Sequence, residues 1–152
     1  MNNALLELIR TFGLLERVMQ PYFARFGISG SQWGVLRTLH RAAEEGPPGL
    51  RLTDLGDRLL IRPPSVTGIV DRLERAGLVV RDGAPGDLRA KVVALTDKGR
   101  RLVADVLAVH GGQIEKVLGC LSAAEQDRLH KLLGRLGLHL ESLLAGRGAE
   151  VG

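Results

Sequence analysis

The chain has 152 residues, long enough to bury a real core in one domain with helical extensions, and its 45% hydrophobic and 25% charged content is ordinary for a soluble globular protein. No apolar run approaches the roughly 20 residues of a membrane helix, and the single cysteine, Cys120, excludes an intramolecular disulfide framework and any cysteine-pair zinc site. The net charge of +4 is localised: from Arg58 to Arg101 ten Arg/Lys stand against five acids, so the rest of the chain is slightly acidic. The opening "MNNALLELIR" has no basic start and carries Glu7 within its apolar stretch, which predicts no secretory signal and a cytoplasmic protein.

Residues 3–26 place Leu5, Leu8, Ile9, Phe12, Leu15, Met19 and Phe23 three and four apart, the period of an amphipathic helix, with Pro21 as a kink or break near its end. A second helix follows in "SGSQWGVLRTL", where Ser29 and Gln32 have capping-box spacing. It should end before the "EEGPPG" loop. Leu50–Leu52 fits a very short strand, and Thr53 an N-cap for a two-turn helix that stops at "IRPP". The next helix, about 64–76, uses Pro64 at an early position, Val66, Ile69, Val70 and Leu73 as its apolar stripe and Gly77 as its stop. "LVVR" and "AKVVAL" are β-branched runs bracketing "DGAPGDLR", a hairpin over about 81–95. Thr96 caps a long helix that Gly111-Gly112 should weaken or bend, and Ser122 with Glu125 opens a last helix carrying a leucine ladder from Leu129 to Leu144.

This order has a physical logic. A short helix, a turn and a second helix with a polar outer side form a helix-turn-helix, whose second helix enters the DNA major groove. A hairpin after it can reach the adjacent minor groove, where phosphate crowding favours basic tips. The hairpin is therefore read as the wing of a winged helix-turn-helix, with Arg89 as its groove contact and Asp87 as support for Arg89 or the wing backbone.

The stretches "SGSQWGVLRTL", "LTDLGDRLLIRPPSVTGIVDRLERAGLVVR" and "GDLRAKVVALTDKGR" together resemble the MarR family of bacterial regulators, over about residues 5 to 145. The resemblance implies a mostly α (α+β) fold: a winged helix-turn-helix lobe at 29–99, a dimerisation region from 1–28 and 100–146, and a loose tail at 147–152. It implies a homodimer that binds pseudo-palindromic double-stranded DNA, often as a repressor relieved by a small aromatic or lipophilic effector. By position, Arg62, Pro64, Ser65, Thr67, Gly68, Arg72, Arg89 and Lys91 become the DNA-facing residues. Two departures stand out: Leu88 takes the place of the first of two wing cations found in many relatives, and Gly68 that of a base-reading arginine in several.

Each residue also has a plainer reading. Ser65 and Thr67 could simply cap or solvate a helix turn, and Arg62 and Arg72 could be ordinary surface arginines. Trp33 reads first as a core anchor, while Arg17, Met19, Tyr22, Trp33 and His40 are candidates for an effector pocket near the dimer helices. Cys120 reads as a buried structural cysteine. The four histidines lack close ligand spacing, so no metal or cofactor is expected, a His40–His110 zinc sensor being the alternative. The leucine ladder and the apolar first helix exceed what one small domain can cover and predict a dimer interface. No nucleophile–base pairing, phosphate-cradling glycine motif or paired carboxylates point to an enzyme. The competing function is a winged-helix protein-interaction or scaffold module that does not read DNA.

Overall fold

A computed structural model of the protein describes residues 3–60, 62–84 and 87–150, with side chains described outside 83–90 and 148–150. Among the described residues six helices and three strands follow in the order α1 (Ala4–Ala24), α2 (Gly30–Glu45), β1 (Leu50–Arg51), α3 (Leu52–Arg58), α4 (Val66–Arg75), β2 (Val79–Ala84), β3 (Asp87–Leu95), α5 (Asp97–Leu118) and α6 (Ala123–Glu150). The fold is the mostly helical winged helix-turn-helix expected from the sequence. Two compact units divide inside α5, one ending at Val109 and the other beginning at His110.

In the first unit the apolar stripes of five helices converge. Leu36, Leu55, Val70, Leu73, Val103 and Val106 are fully shielded from solvent. Truncating any one of the leucines to alanine at this density costs about 2–5 kcal/mol. Pro21 leaves α1 unbroken, because so close to the helix end the missing N–H forfeits one hydrogen bond and the following turn still closes, Arg25 N bonding the Pro21 carbonyl. Tyr22 and Phe23 in that last turn are the buried residues of α1. Tyr22 sends its hydroxyl to the Val106 carbonyl at 3.4 Å, and burial pushes its phenol pKa up against the opposing charge of Arg25. The Ser29–Gln32 capping box forms as expected, with bonds of 2.8 and 3.1 Å.

The sheet order is β1-β3-β2, all antiparallel. Val79 faces Leu95 and Arg81 faces Val93, and a register shift falls between Gly83 and Ala84 near the hairpin tip. α3 begins at Leu52 with Arg51 as its cap residue, so Thr53 lies within the first turn and not at the cap: β1 runs straight into the helix and leaves no room for a capping loop. α4 starts at Val66, two residues later than expected, because Ser65 takes the extended cap conformation and Pro64 stays outside.

One close approach fixes the order of packing. Gly77 (φ 75°) ends α4 in a left-handed turn, and the Gly77 N–H to Glu74 carbonyl and Leu78 N–H to Leu73 carbonyl bonds make a Schellman motif. The chain then turns at Leu78, whose carbonyl accepts from Thr96 N and lies against Gly99 in the first turn of α5. A Cβ at Gly99 would overlap that carbonyl oxygen and sit 3.3 Å from Leu95 Cδ2.

In the second unit α5 continues as helix through Gly111-Gly112 to Leu118. Ser122 and Glu125 form the second capping box, which holds the Glu125 carboxyl below its ordinary pKa through the Ser122 hydrogen bonds. Cys120 is exposed, contrary to the expectation of burial: it lies two residues past the end of α5, where the helical period that would turn it inward no longer applies. None of the described residues of α6 is buried within the chain, and Leu132, Leu138, Leu143 and Leu144 are each more than half exposed.

Gly99→Ala is expected to destabilise the protein by about 1–3 kcal/mol through overpacking. Gly56→Ala is the control, since its Cβ would meet only Val66 Cγ2 at 3.8 Å in a helix interior. That change should be neutral or stabilising by up to about 1 kcal/mol. Thermal melting of both variants checks the contrast.

Candidate nucleic-acid interface

α4 has two sides with different chemistry. Val66, Ile69, Val70 and Leu73 turn inward against the core. At 100° per residue the opposite side carries Thr67, Gly68, Asp71, Arg72 and Arg75, of which Thr67, Arg72 and Arg75 are exposed. The first turn is closed by Ser65, whose hydroxyl accepts the Gly68 N–H at 3.0 Å. A Cβ at Gly68 would approach that hydroxyl to 3.2 Å, so the missing side chain keeps the cap tight. The far end is closed from α5: Lys98 Nζ donates to the Ala76 carbonyl at 2.9 Å and the Thr96 hydroxyl to the Gly77 carbonyl at 2.6 Å. A cation at a helix C-terminus also meets the negative end of the helix dipole.

The basic segment separates into cations used internally and cations left outward. Arg62 pairs with Asp57 at 3.3 Å, both side chains being about three-quarters exposed. Such an exposed pair contributes little and can open toward another anion. Arg81 pairs with Asp71, Arg100 with Asp97 and the Leu95 carbonyl, and Lys98 with α4 as above. Arg58, Arg72, Arg75, Lys91 and Arg101 are exposed, and no hydrogen bond or ion pair engages their side chains among the described residues. Pro64 is exposed in the bend before the Ser65 cap. The side chains of Asp87, Leu88 and Arg89 lie outside the described residues. On the backbone, residues 88–90 of β3 fall within the register shift that separates the Gly83–Lys91 and Ala84–Asp87 pairs.

Arg81, Thr96 and Lys98 belong to this site although the sequence does not single them out for it. Thr96 is legible as the cap of α5, and its Oγ1 does accept from Gly99 N at 3.0 Å. Its second bond, back to the end of α4, depends on a chain crossing that no local pattern announces.

The residues named for an effector pocket have separate surroundings. Arg17 is exposed, Met19 packs partly buried on the core, and Tyr22 is committed to Val106. Trp33 stacks on Phe23 with centroids 6.0 Å apart, as a core anchor would. The His40 ring nitrogen Nδ1 lies 3.0 Å from the Arg37 guanidinium and 3.7 Å from Glu44. A shallow cleft of about 360 Å³ lies elsewhere, floored by Phe26, Ile28, Leu78 and Leu102 with Lys98 and Arg101 among its lining residues. Among the described residues no group of three His, Cys, Asp or Glu could hold a metal ion, and no helix is long and apolar enough to cross a membrane.

The MarR family model matches residues 26–90, the span from the α1–α2 turn into the wing. The HTH-type transcriptional regulator YkoM of Bacillus subtilis is 36% identical over 118 residues, which cover 78% of this chain and 73% of that protein. A MarR-like transcription regulator from Bacillus cereus has a similar structure, with TM-score 0.77 at 27% identity, covering 91% of this chain and 97% of that one. The fold is also shared with a MarR mutant from E. coli complexed with operator DNA, with TM-score 0.74 at 24% identity over 88% of this chain and 96% of that one.

Ser65→Ala should lower stability by about 1 kcal/mol, since it removes the cap of α4. Thr67→Ala, at an exposed neighbour, should change it by no more than about 0.5 kcal/mol. Denaturant melts of the two variants separate the capping role from the outward-facing one.

Proposed function

The chain belongs to the MarR family of transcriptional regulators, and from that premise we propose that it is a cytoplasmic, ligand-responsive repressor that binds pseudo-palindromic operators as a homodimer. The observation that carries the DNA reading is the outer side of α4: a helix fixed on its apolar side, capped at both ends, and presenting Thr67, Arg72 and Arg75 outward. Ser65, Thr67, Gly68 and Arg72 approach the major groove, with Pro64 and Arg62 at the entry to the helix. Arg89 and Lys91 of the wing meet the minor groove and its phosphates, with Asp87 as support. Gly68 leaves the backbone of α4 free to approach the bases closely, and Leu88 makes the wing one charge lighter than that of many relatives. The operator bound by the E. coli relative of the same fold supports this reading.

The homodimer rests on α1 and α6. Leu5 and Ile9 of α1 and Leu132, Leu143 and Leu144 of α6 are all more than half exposed. Helices with this much uncovered apolar surface are explained by a second copy, residues 1–28 and 100–146 forming the shared region. The effector expected for the family is a small aromatic or lipophilic molecule acting near Arg17, Met19, Tyr22, Trp33 and His40. The proposed mechanism is a shift in the spacing of the two recognition helices, whose half-sites lie about 34–36 Å apart.

The purified protein should retard the duplex upstream of its own coding sequence in the presence of excess nonspecific competitor. Its affinity should fall steeply with salt, with a log–log slope of about −0.9 for each phosphate that the bound protein neutralises. Arg89→Ala and Arg72→Ala should each weaken binding about tenfold; retardation indifferent to Arg89→Ala would remove the wing from the contact, and no retardation by the wild type across fragments and salts would favour a protein-interaction module. Leu132→Glu combined with Leu143→Glu should convert the dimer to monomer or unfolded chain in light scattering, and an unchanged dimer would remove α6 from the interface.

A further inference from the structure

Arg81 stands where an alternating strand calls for an apolar residue. Val79 of β2 is buried and Val80 is 37% exposed, so Arg81 returns to the inner side of the strand, opposite buried Val93. Its side chain is only 25% exposed. The guanidinium does not turn outward with the free cations of the basic segment: it pairs with the Asp71 carboxylate and reaches the Thr67 carbonyl at 3.5 Å. Thr67 and Asp71 lie one turn apart on the same flank of α4, and a single guanidinium nitrogen, Arg81 Nη2, makes both contacts from the base of the wing.

Two features of this bridge go beyond general stability. A partly desolvated ion pair is commonly no more stabilising than apolar residues of the same size, and its best-attested use is to fix one arrangement among several. Asp71 is also a carboxylate on the helix that faces a polyanion, where charge alone would select against it. We propose that the Arg81–Asp71 bridge is a positioning device that fixes the rotation of α4 about its own axis relative to the wing, so that Thr67, Gly68 and Arg72 meet the bases in the register in which the wing meets its groove. The proposal rests on the DNA-reading function above. It makes Arg81 a positioning residue that acts through α4 and not a phosphate contact.

Asp71→Asn separates the two roles, because it removes a negative charge from the DNA-facing helix while nearly keeping its shape. Affinity is measured for the duplex upstream of the gene and for a scrambled duplex of the same composition. Positioning predicts that Asp71→Asn and Arg81→Met each lower the ratio of the two affinities about tenfold, while Asp71→Asn binds the scrambled duplex as well as or better than the wild type. The double variant should lose no more than Arg81→Met alone, since both changes break one bridge. Arg81→Lys should restore the ratio only in part, because its side chain is one atom shorter and holds the ammonium back from the place of Nη2, the one nitrogen that meets both acceptors. In the free protein, amide exchange in α4 relative to α2 should rise in Asp71→Asn and Arg81→Met. An unchanged ratio in Asp71→Asn, additive losses in the double variant, or unaltered exchange in α4 each overturns the proposal. A wild type that does not distinguish the two duplexes overturns the regulatory reading and this proposal with it, whereas a discriminating wild type matched by Asp71→Asn overturns this proposal alone.

Discussion

The contact between the Leu78 carbonyl and Gly99 sets the geometry of the DNA-binding region. At that point α4 has just ended, β2 is about to begin, and the first turn of α5 crosses close enough to exclude a Cβ. The crossing brings Thr96 and Lys98 within reach of the last carbonyls of α4, and it places Leu95 opposite Val79 at the start of the sheet. Recognition helix, wing and long helix therefore share one joint. A movement of α5 at that joint is passed to α4 through hydrogen bonds and to β3 through the chain itself. In the proposed ligand-responsive regulator, such a joint would carry a displacement of α5 to the groove-reading surface.

The distribution of charge follows from the same arrangement. A count of cations between Arg58 and Arg101 gives a basic segment, yet several of those cations serve the fold: Lys98 closes a helix, Arg100 ties down the first turn of α5, and Arg81 bridges strand to helix. Those left outward lie on α4, on the wing and at the ends of neighbouring helices. Net charge states how strongly a polyanion is attracted, whereas the division between tied and untied cations states where it is held.

Much of this is legible in the sequence, because the signals are local. Apolar spacing marks the helices, the Ser29–Gln32 and Ser122–Glu125 pairs mark two of their starts, Gly77 marks a stop, and the β-branched runs mark the hairpin. The departures share a cause. Thr53 has the chemistry of a cap, but β1 leaves no loop in which to form one, and Pro64 suits a first turn that the Ser65 hydroxyl starts later. Cys120 would turn inward only if α5 continued past Leu118. Each is a local rule overridden by where the neighbouring element ends. The Arg81–Asp71 pair and the bonds from α5 to α4 have no signal at all, since each joins elements whose sequence patterns are independent. The candidate site is thus legible in its outward residues and hidden in the ones that hold them.

The bare surface of α6 bears on how such a chain behaves in a cell. The longest helix buries none of its described residues by itself, so in the proposed dimer its order comes from the partner's surface and depends on how many copies are present. Dilution would then unfold as well as separate the protomers, and proteases would remove the excess monomer first. In the proposed dimer such a chain would have a floor beneath its working concentration, below which protomers are lost to unfolding as well as to dissociation.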